Sequence, residues 1–143
     1  TTRPFELCGA PWISPNELAG KLEAERLPGV RFRPAHFRPT FQKFAGQDCG
    51  GVQLHVTDRG AFRSVRSGLA VLAHMRALSG PRFAWRTEAY EFVSDRPAID
   101  LLFGSARERR ALEAGVPWRE IARAWGPEEA AFRAAREPFL LYE

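Results

Sequence analysis

The clearest pattern of apolar and polar residues lies in the middle of the chain, over residues 51–57. The side chains alternate there, with Val52, Leu54 and Val56 on one side and Gln53, His55 and Thr57 on the other. This period of two predicts a β-strand with one buried face, entered through a turn at Gly50–Gly51 and ended by Asp58. Its polar side offers an amide, an imidazole and a hydroxyl, groups that can contact a ligand. The alternative interpretation is an edge strand whose polar side faces water.

Apolar residues at helical spacing predict two helices in the first half of the chain. Residues 62–78 form the main amphipathic helix, because their apolar positions keep the helical period. An earlier helix begins at Ser14, which can cap it and forms a capping box with Glu17. Between these helices, the alternation over 30–33 predicts another strand, and Pro34 makes its continuation irregular or an edge.

The last third of the chain is predicted to be helical, since prolines and glycines separate short segments with helical spacing. A second capping box joins Ser105 and Glu108, and Phe132 is a core position of the final helix. Residues 139–142 are predicted to form a closing strand. Strands and helices are mixed without a steady βαβ rhythm, which predicts an α+β fold. We expect a small mixed or antiparallel sheet packed with several helices.

The composition is that of an ordinary globular protein. Of the 143 residues, 45% are hydrophobic and 27% charged, so we expect a single domain over 1–143 with its own core. No apolar run is long enough to span a membrane, and no targeting segment is recognisable, so the sequence assigns no localisation. The excess of 21 basic over 17 acidic residues is spread along the chain. Because nucleic-acid binders usually concentrate such charge in one patch, we expect neither nucleic acid nor a membrane as partner.

Motifs for catalysis and metal binding are missing from the sequence, which contains no GxSxG, Walker A, GxGxxG or HExxH pattern. Cys8 and Cys49 lack metal-ligand spacing, so we expect no metal and no cofactor. The two thiols are either buried and free or bridged in an oxidising compartment. A Cys49–His55 pair would lack a group that stabilises the thiolate. Carboxylates such as Asp58 and Asp95 precede helices, where capping is the simpler role, and no catalytic residue is assigned.

Four segments of the chain resemble those of a known family. They are TTRPFELCGAPW at the start, FRPTFQKFAGQDCGGVQLHVTD in the middle, then YEFVSDRPAIDLLFGS and the terminal EPFLLY. Together they resemble the C-terminal domain of the bacterial exo-β-N-acetylmuramidases, the NamZ-like glycoside hydrolases, formerly a domain of unknown function. The resemblance covers essentially the whole chain.

The resemblance implies a two-domain glycoside hydrolase that releases N-acetylmuramic acid (MurNAc) from the non-reducing end of peptidoglycan fragments, in cell-wall turnover and recycling. In such enzymes a larger, Rossmann-like N-terminal domain supplies the catalytic carboxylates, and the C-terminal domain closes the other side of the cleft. The chain starts at Thr1 rather than Met and lacks that N-terminal domain. We therefore expect an auxiliary substrate-cleft domain, whose partners are the catalytic domain and MurNAc saccharides, without a catalytic site of its own.

The resemblance also directs attention to side chains that suit muramic acid, a sugar with a lactyl carboxylate. Arg3 and Lys43 are the candidate cations for that carboxylate. Trp12 or Phe41 is a candidate platform for the sugar face, although a buried core position is the alternative for each. The polar candidates are Gln53 and His55 as donors to hydroxyl or N-acetyl groups, and Glu91, which either orients a cation or faces water.

Two other functions fit the residues. The chain can be a protein-interaction module, in which the polar strand and aromatics such as Phe5 and Trp12 meet a partner protein. Such a module would show an apolar patch when isolated. Less favoured is a basic nucleic-acid-binding domain, whose affinity would fall steeply with salt.

Overall fold

The computed structural model describes residues 5–142 of the chain. Contacts between residues divide the chain into two compact units, Thr1–Ala84 and Trp85–Glu143. Each unit has its own secondary structure and its own buried residues. The expectation of one domain over 1–143 stays a prediction.

A three-stranded antiparallel sheet is the framework of the first unit. Its strands are β1 (Leu7–Ala10), β2 (Val30–Phe37) and β3 (Cys49–Val56), and β3 lies between the other two. Helix α1 (Pro15–Ala24) follows β1 and packs against β2 and β3. Helix α2 (Ser64–Ser79) follows β3, packs against α1 and leads into a 3-10 helix at Gly80–Arg82.

β3 is the central strand of the sheet, so the interpretation of 51–57 as an edge strand is wrong. β3 pairs with β1, where Cys8 is opposite Val52, and with β2, where Arg33 is opposite Gln53. The alternation of the sequence is the same for a central and an edge strand when one face is polar. Pairing with β1 and β2 is a long-range property that the local pattern does not contain.

The prediction that a glycine turn leads into this strand is also wrong, because Gly50 and Gly51 lie inside β3. A Cβ atom at Gly50 would clash with the carbonyl oxygen of Ile13, and one at Gly51 with that of Cys8. Both glycines therefore serve the close approach of neighbouring backbone rather than a change of direction.

β2 is an edge strand that contains Pro34, as expected for a proline in a sheet. The backbone N–H of Phe32 does not bond to β3 but donates to Oε1 of Glu23 on α1, at 2.6 Å. The second carboxylate oxygen of Glu23 accepts from Nε of Arg31 at 2.8 Å. Glu23 therefore joins the last part of α1 to the outer side of β2.

Both helices of the first unit agree with the sequence pattern. At the start of α1, the hydroxyl of Ser14 accepts a hydrogen bond from the backbone N–H of Glu17 at 3.4 Å, which confirms Ser14 as the cap. The side chains of Leu18, Leu22 and Leu69 are fully buried. Burial of one such side chain stabilises the fold by about 1.5–3 kcal/mol, so these leucines anchor α1 and α2 in the core.

The second unit is helical. Its helices are α3 (Ala98–Phe103), α4 (Arg107–Glu113), α5 (Trp118–Arg123) and α6 (Gly126–Arg136), followed by a 3-10 helix at Glu137–Phe139. Leu112, Trp118 and Ile121 are buried in this unit. Before α4, the Ser105 hydroxyl donates to the Glu108 carboxylate and accepts from the backbone N–H of Arg107. The predicted capping box is wrong, however, because the N-cap of α4 is Ala106, which makes no side-chain cap bond.

Two predictions for the end of the chain are wrong. Phe132 is 66% exposed and is not a core residue. Residues 139–142 form no strand, since the three strands of the described sheet all belong to the first unit and the backbone at Glu137–Phe139 is a 3-10 helix. A strand needs a neighbour, which an apolar pattern at a chain end cannot supply.

The α+β class is confirmed, with a small antiparallel sheet and a helical last third. Over residues 5–142, none of the helices combines the length and apolar character that crossing a membrane requires.

Candidate ligand-binding site

The loop that connects β2 to β3, residues 38–48, is closed at its base by a two-pronged ion pair. Arg38 donates from Nε to Oδ1 of Asp48 at 2.8 Å and from Nη2 to Oδ2 at 2.7 Å. The hydrogen bonds and charge of Arg38 lower the pKa of Asp48. Within the loop, next to this ion pair in the sequence, the N–H of Gly46 donates to the carbonyl of Pro39 at 2.8 Å. The ends of the loop are therefore held together by two independent sets of bonds.

The backbone of this loop is strained at two residues other than glycine. Gln42 and Phe44 both have φ of 61°, in the left-handed region that β-carbon atoms disfavour. Each costs on the order of 1 kcal/mol and persists only where surrounding bonds impose it. Hydrogen bonds from Ala45 N–H to the carbonyl of Gln42 and from Gln47 N–H to that of Phe44 fix these turns.

The strained loop presents a cation beside two aromatic rings, which we name the Trp12–Lys43 cluster (Trp12, Lys43 and Phe44). The rings of Trp12 and Phe44 meet edge to face, with centroids 5.3 Å apart and planes at 85°. Nζ of Lys43 lies 5.2 Å from the centroid of Phe44, within cation–π range. The indole N–H of Trp12 donates to the hydroxyl of Ser79 at 2.9 Å, which fixes the orientation of the indole.

Phe41 belongs to the same loop and is 65% exposed, so the alternative of a core position is wrong for this residue. Trp12 is half-buried and bonded on its polar edge. The structure therefore brings two of the predicted residues together, Trp12 and Lys43, through Phe44. Phe41 belongs to the same loop by its position in the sequence. Phe44 was missed by the sequence analysis, although its place next to Lys43 was visible in the sequence.

Gln53 and His55 lie on one face of β3, two residues apart, but their surroundings differ. Gln53 is 4% exposed, and its Oε1 accepts from Nη2 of Arg33 on β2 at 2.6 Å. Val56, by contrast, is 44% exposed. The predicted division of β3 into a buried apolar side and an open polar side is therefore wrong at Gln53 and at Val56. The amide oxygen of Gln53 is thus engaged within the sheet.

His55 lies opposite Arg31 in the pairing of β2 with β3. Its Nε2 is buried and has no hydrogen-bond partner among the described residues. Buried polar atoms are nearly always satisfied, so this nitrogen is one that a bound group or water would complete.

Two further predicted residues remain, Arg3 and Glu91. Arg3 lies outside the described residues. Glu91 belongs to the second unit, where it is exposed and has φ of 48° between Tyr90 and Val93, which form an isolated bridge. Of the two roles predicted for Glu91, its exposure agrees with a side chain that faces water.

An open cavity of about 320 Å³ lies elsewhere in the first unit, between the end of α1 and β2. Its lining residues are Leu22, Glu23, Arg26, Leu27, Val30, Arg31 and Phe32. None of the predicted site residues lines it. Both carboxylate oxygens of Glu23 are already used, one by Phe32 and one by Arg31, so its acidic group is structural.

The cysteines are free thiols, Cys49 buried and Cys8 partly so. Burial raises the pKa of Cys8 to about 11 and also raises that of Cys49, so both are protonated at neutral pH. Over residues 5–142, no three His, Cys, Asp or Glu side chains come close enough to hold a metal ion.

These features define a small α+β protein whose strained loop clusters a cation with aromatic side chains. The chain belongs to the family "Exo-beta-N-acetylmuramidase NamZ, C-terminal", whose model matches residues 1–142. The family inferred from the four sequence segments is thereby confirmed.

Two relatives are longer than this chain. It is 39% identical over 142 residues to the peptidoglycan beta-N-acetylmuramidase NamZ of Bacillus subtilis, a match that covers 99% of this chain and 32% of the relative. A crystal structure of a DUF1343 family protein from Bacteroides fragilis superimposes with a TM-score of 0.81 at 26% identity. That match covers 98% of this chain and 36% of the other. The chain thus spans about a third of the length of each.

Proposed function

We propose that the chain is the substrate-cleft part of a bacterial exo-β-N-acetylmuramidase, which releases MurNAc from the non-reducing end of peptidoglycan fragments. Membership of the family and the name of the Bacillus subtilis relative support this enzyme class. Because the chain spans about a third of that relative, the proposal places the catalytic carboxylates in a further, Rossmann-like domain. That domain and MurNAc saccharides are the proposed partners.

The observation that carries the proposal is the Trp12–Lys43 cluster. Ligand sites combine apolar or aromatic surface with a few fixed polar groups, and this loop has both. The ammonium of Lys43 suits a lactyl carboxylate, and the exposed ring of Phe41 in the same loop suits a sugar face. The bonds that close the loop and impose its strain hold these groups in place before a ligand arrives, which lowers the entropy cost of binding.

The polar residues of β3 take different parts in this proposal. Gln53 supports the sheet through Arg33, so its contribution to a sugar is through the rest of its amide. His55 keeps the role predicted for it as a donor to a hydroxyl or N-acetyl group, although its unpartnered Nε2 is buried. Arg3 and Glu91 keep the roles predicted for them, a second cation for the carboxylate and a group that orients a cation or faces water.

Four carboxyl groups, those of Asp48, Asp100, Glu108 and Glu128, are poorly suited to act as a general acid. A glycosidase's general acid needs a raised pKa. Hydrogen bonds from arginines instead lower the pKa of Asp48, Asp100 and Glu128. At Glu108, burial is the largest single influence and raises the pKa, but hydrogen bonds from Ser105, Trp125, its own backbone and Arg107 together lower it. These groups are ionised at neutral pH and cannot donate the proton.

A protein-interaction module is the second candidate, and two exposed aromatic residues favour it. Phe5 is 101% exposed and Phe92 is 104% exposed, which is unusual for phenylalanine. Nucleic-acid binding is less favoured, because several arginines are bound to carboxylates. Examples are Arg107 with Glu128 at 2.7 Å and Arg109 with Asp100 at 2.8 Å.

A ligand titration followed by NMR tests the proposed function. We expect a disaccharide with MurNAc at its non-reducing end to shift the amide signals of residues 41–55 at millimolar concentration. Lys43→Ala should weaken this binding at least several-fold, because the carboxylate loses its cation. The chain has one other lysine, Lys21, which is 45% exposed and pairs with Glu17, so Lys21→Ala is the matched control and should bind as wild type.

The same titration with a disaccharide of N-acetylglucosamine, which lacks the lactyl carboxylate, checks the specificity. It should bind more weakly to wild type and be insensitive to Lys43→Ala. If the MurNAc disaccharide leaves residues 41–55 unshifted, the chain does not contact the sugar and the interaction module becomes the better account.

A further inference from the structure

The first turn of α6 is packed against the helices before it. The ring of Trp125 lies 6.4 Å from that of Phe103, and its indole N–H donates to Oε1 of Glu108 at 3.1 Å. Three residues later, Glu128 accepts from Nη1 of Arg107 at 2.7 Å. One stripe of the helix, carrying Trp125 and Glu128, thus has partners in α3 and α4.

The same stripe continues along α6 without partners. At about 3.6 residues per turn, positions 125, 128, 132 and 135 lie along one face of α6, and Phe139 follows in the 3-10 helix Glu137–Phe139. Phe132 is 66% exposed and Phe139 is 82% exposed, and none of the residues of Gly126–Arg136 is buried. The residues after the helix are equally open. We name Phe132, Phe139, Leu140, Leu141 and Tyr142 the C-terminal apolar stripe.

An exposed helix of this length has little stability of its own. Helices shorter than about 12–15 residues are marginal in water and owe their stability to packing of an apolar face. α6 has 11 residues, and the apolar part of its face meets solvent. Large contiguous apolar patches on a protein surface mark contact sites. The stripe is therefore a candidate contact surface.

We propose that the C-terminal apolar stripe docks on the region that precedes this domain in the longer members of the family. The matching region is the C-terminal part of the enzyme family, and it makes up 32% of the Bacillus subtilis relative and 36% of the Bacteroides fragilis protein. About two-thirds of each relative lies outside the match, which is ample surface to cover the stripe. The packed first turn of α6 holds the stripe in position. The apolar side chains at the end of the stripe then contact the preceding region.

This inference rests on the proposed function only in taking the chain as part of a longer hydrolase, and it does not depend on sugar binding by Lys43. Hydrogen exchange followed by mass spectrometry tests it. The first sample is the isolated chain, and the second is a chimera in which the chain replaces the matching third of the Bacillus subtilis relative. We expect the amides of Gly126–Arg136 to exchange at least ten-fold more slowly in the chimera.

Substitutions in the stripe identify which side chains cause the slower exchange. The double substitution Phe139→Ser and Leu141→Ser should abolish the slower exchange in the chimera and leave exchange in α1 and α2 unchanged. Leu102→Ser is the control, because Leu102 is 68% exposed in the same unit but outside the stripe. If the chimera does not fold, the preceding two-thirds of the relative is added to the isolated chain as a separate protein, with the same expectation.

Three results would overturn the docking proposal. Equal exchange of α6 with and without the preceding region shows that the region does not cover it. Slow exchange in a monomeric isolated chain shows that α6 needs no partner. Slow exchange together with a dimer in sedimentation assigns the stripe to a second copy of the chain. None of these results bears on the disaccharide titration, which uses the isolated chain and residues 41–55.

Discussion

Arg33 on β2 donates from Nη2 to Oε1 of Gln53 on β3 at 2.6 Å, although the two residues are 20 positions apart in the sequence. They are direct partners in the strand register. Because Gln53 is 4% exposed, Arg33 supplies the partner that the buried amide oxygen needs. The most buried polar side chain of the central strand is therefore satisfied by an otherwise exposed arginine of the edge strand.

Arg33→Ala should destabilise the fold by about 1–3 kcal/mol, because it leaves the buried oxygen of Gln53 without a donor. Urea denaturation at neutral pH measures this change. Arg59→Ala, at an exposed position after β3, is the control and should change stability by less than about 0.5 kcal/mol. Adding Gln53→Met to Arg33→Ala should recover part of the loss, and additive effects of the two substitutions would contradict the coupling.

Gly51→Ala should destabilise the protein by more than about 2 kcal/mol, since its Cβ would clash with the backbone carbonyl oxygen of Cys8. Gly20→Ala, in the middle of α1, has no atom within 4 Å of its Cβ and should stabilise by about 0.5–1 kcal/mol. Thermal and urea unfolding of both variants make the comparison. Equal effects of the two substitutions would show that backbone approach in β3 is not the reason for glycine there.

The buried Asp100 should make stability depend on pH. Arg109 donates to both of its oxygens, at 2.8 and 2.9 Å, and these hydrogen bonds lower its pKa below the ordinary value of 3.8. The unfolded chain then binds more protons than the folded one between these two pKa values, so stability rises with pH across that window. The contribution is fully present at neutral pH and is lost as pH falls below 3.8 toward the folded-state pKa.

Asp100→Asn should therefore cost about 1–3 kcal/mol at pH 7 and progressively less in acid, where the wild-type carboxyl is itself protonated. Urea denaturation between pH 7 and pH 2.5 follows the difference between the two proteins. Asp95→Asn is the control, since Asp95 is 70% exposed and its nearest arginine nitrogen is 3.5 Å away. A difference between wild type and Asp100→Asn that stays constant with pH would contradict the assignment.

Asp48→Asn should loosen the 38–48 loop without changing global stability measurably, because the ion pair with Arg38 is exposed on both sides. Limited proteolysis should cut the variant faster within the loop, and the amide of Gly46 should exchange faster. Glu17→Gln, which breaks the exposed pair with Lys21, should change neither. Binding of the MurNAc disaccharide should weaken in Asp48→Asn if the closed loop prepares the site.

The sequence predicted most of the local structure, because its signals are local. The cap at Ser14, the start of α1 and the apolar face of α2 follow from residues within one or two turns of helix. The central position of β3 and the glycine contacts do not, since they depend on β1 and on Ile13 meeting β3 in space. The exposed end of α6 was assigned to the core for the same reason, as an apolar pattern does not show what covers it.

The site was predicted in part. The sequence placed Lys43 and Phe41 in one loop, and the structure adds Trp12 through the edge-to-face contact with Phe44. Neither the left-handed conformation of Phe44 nor the Arg38–Asp48 closure can be inferred from residue type. Gln53 and His55 were recognised by alternation, but the burial of Gln53 follows from the pairing of β3 on both sides.

The contact of Glu23 with Phe32 has a consequence for how this domain assembles. An edge strand can recruit a further strand from another molecule through its unpaired backbone groups. In β2 the N–H of Phe32 is already occupied by Glu23, and Pro34 has none to give. Addition of a further strand is therefore disfavoured around Phe32 and Pro34, and this part of the edge is protected against fibre-like association.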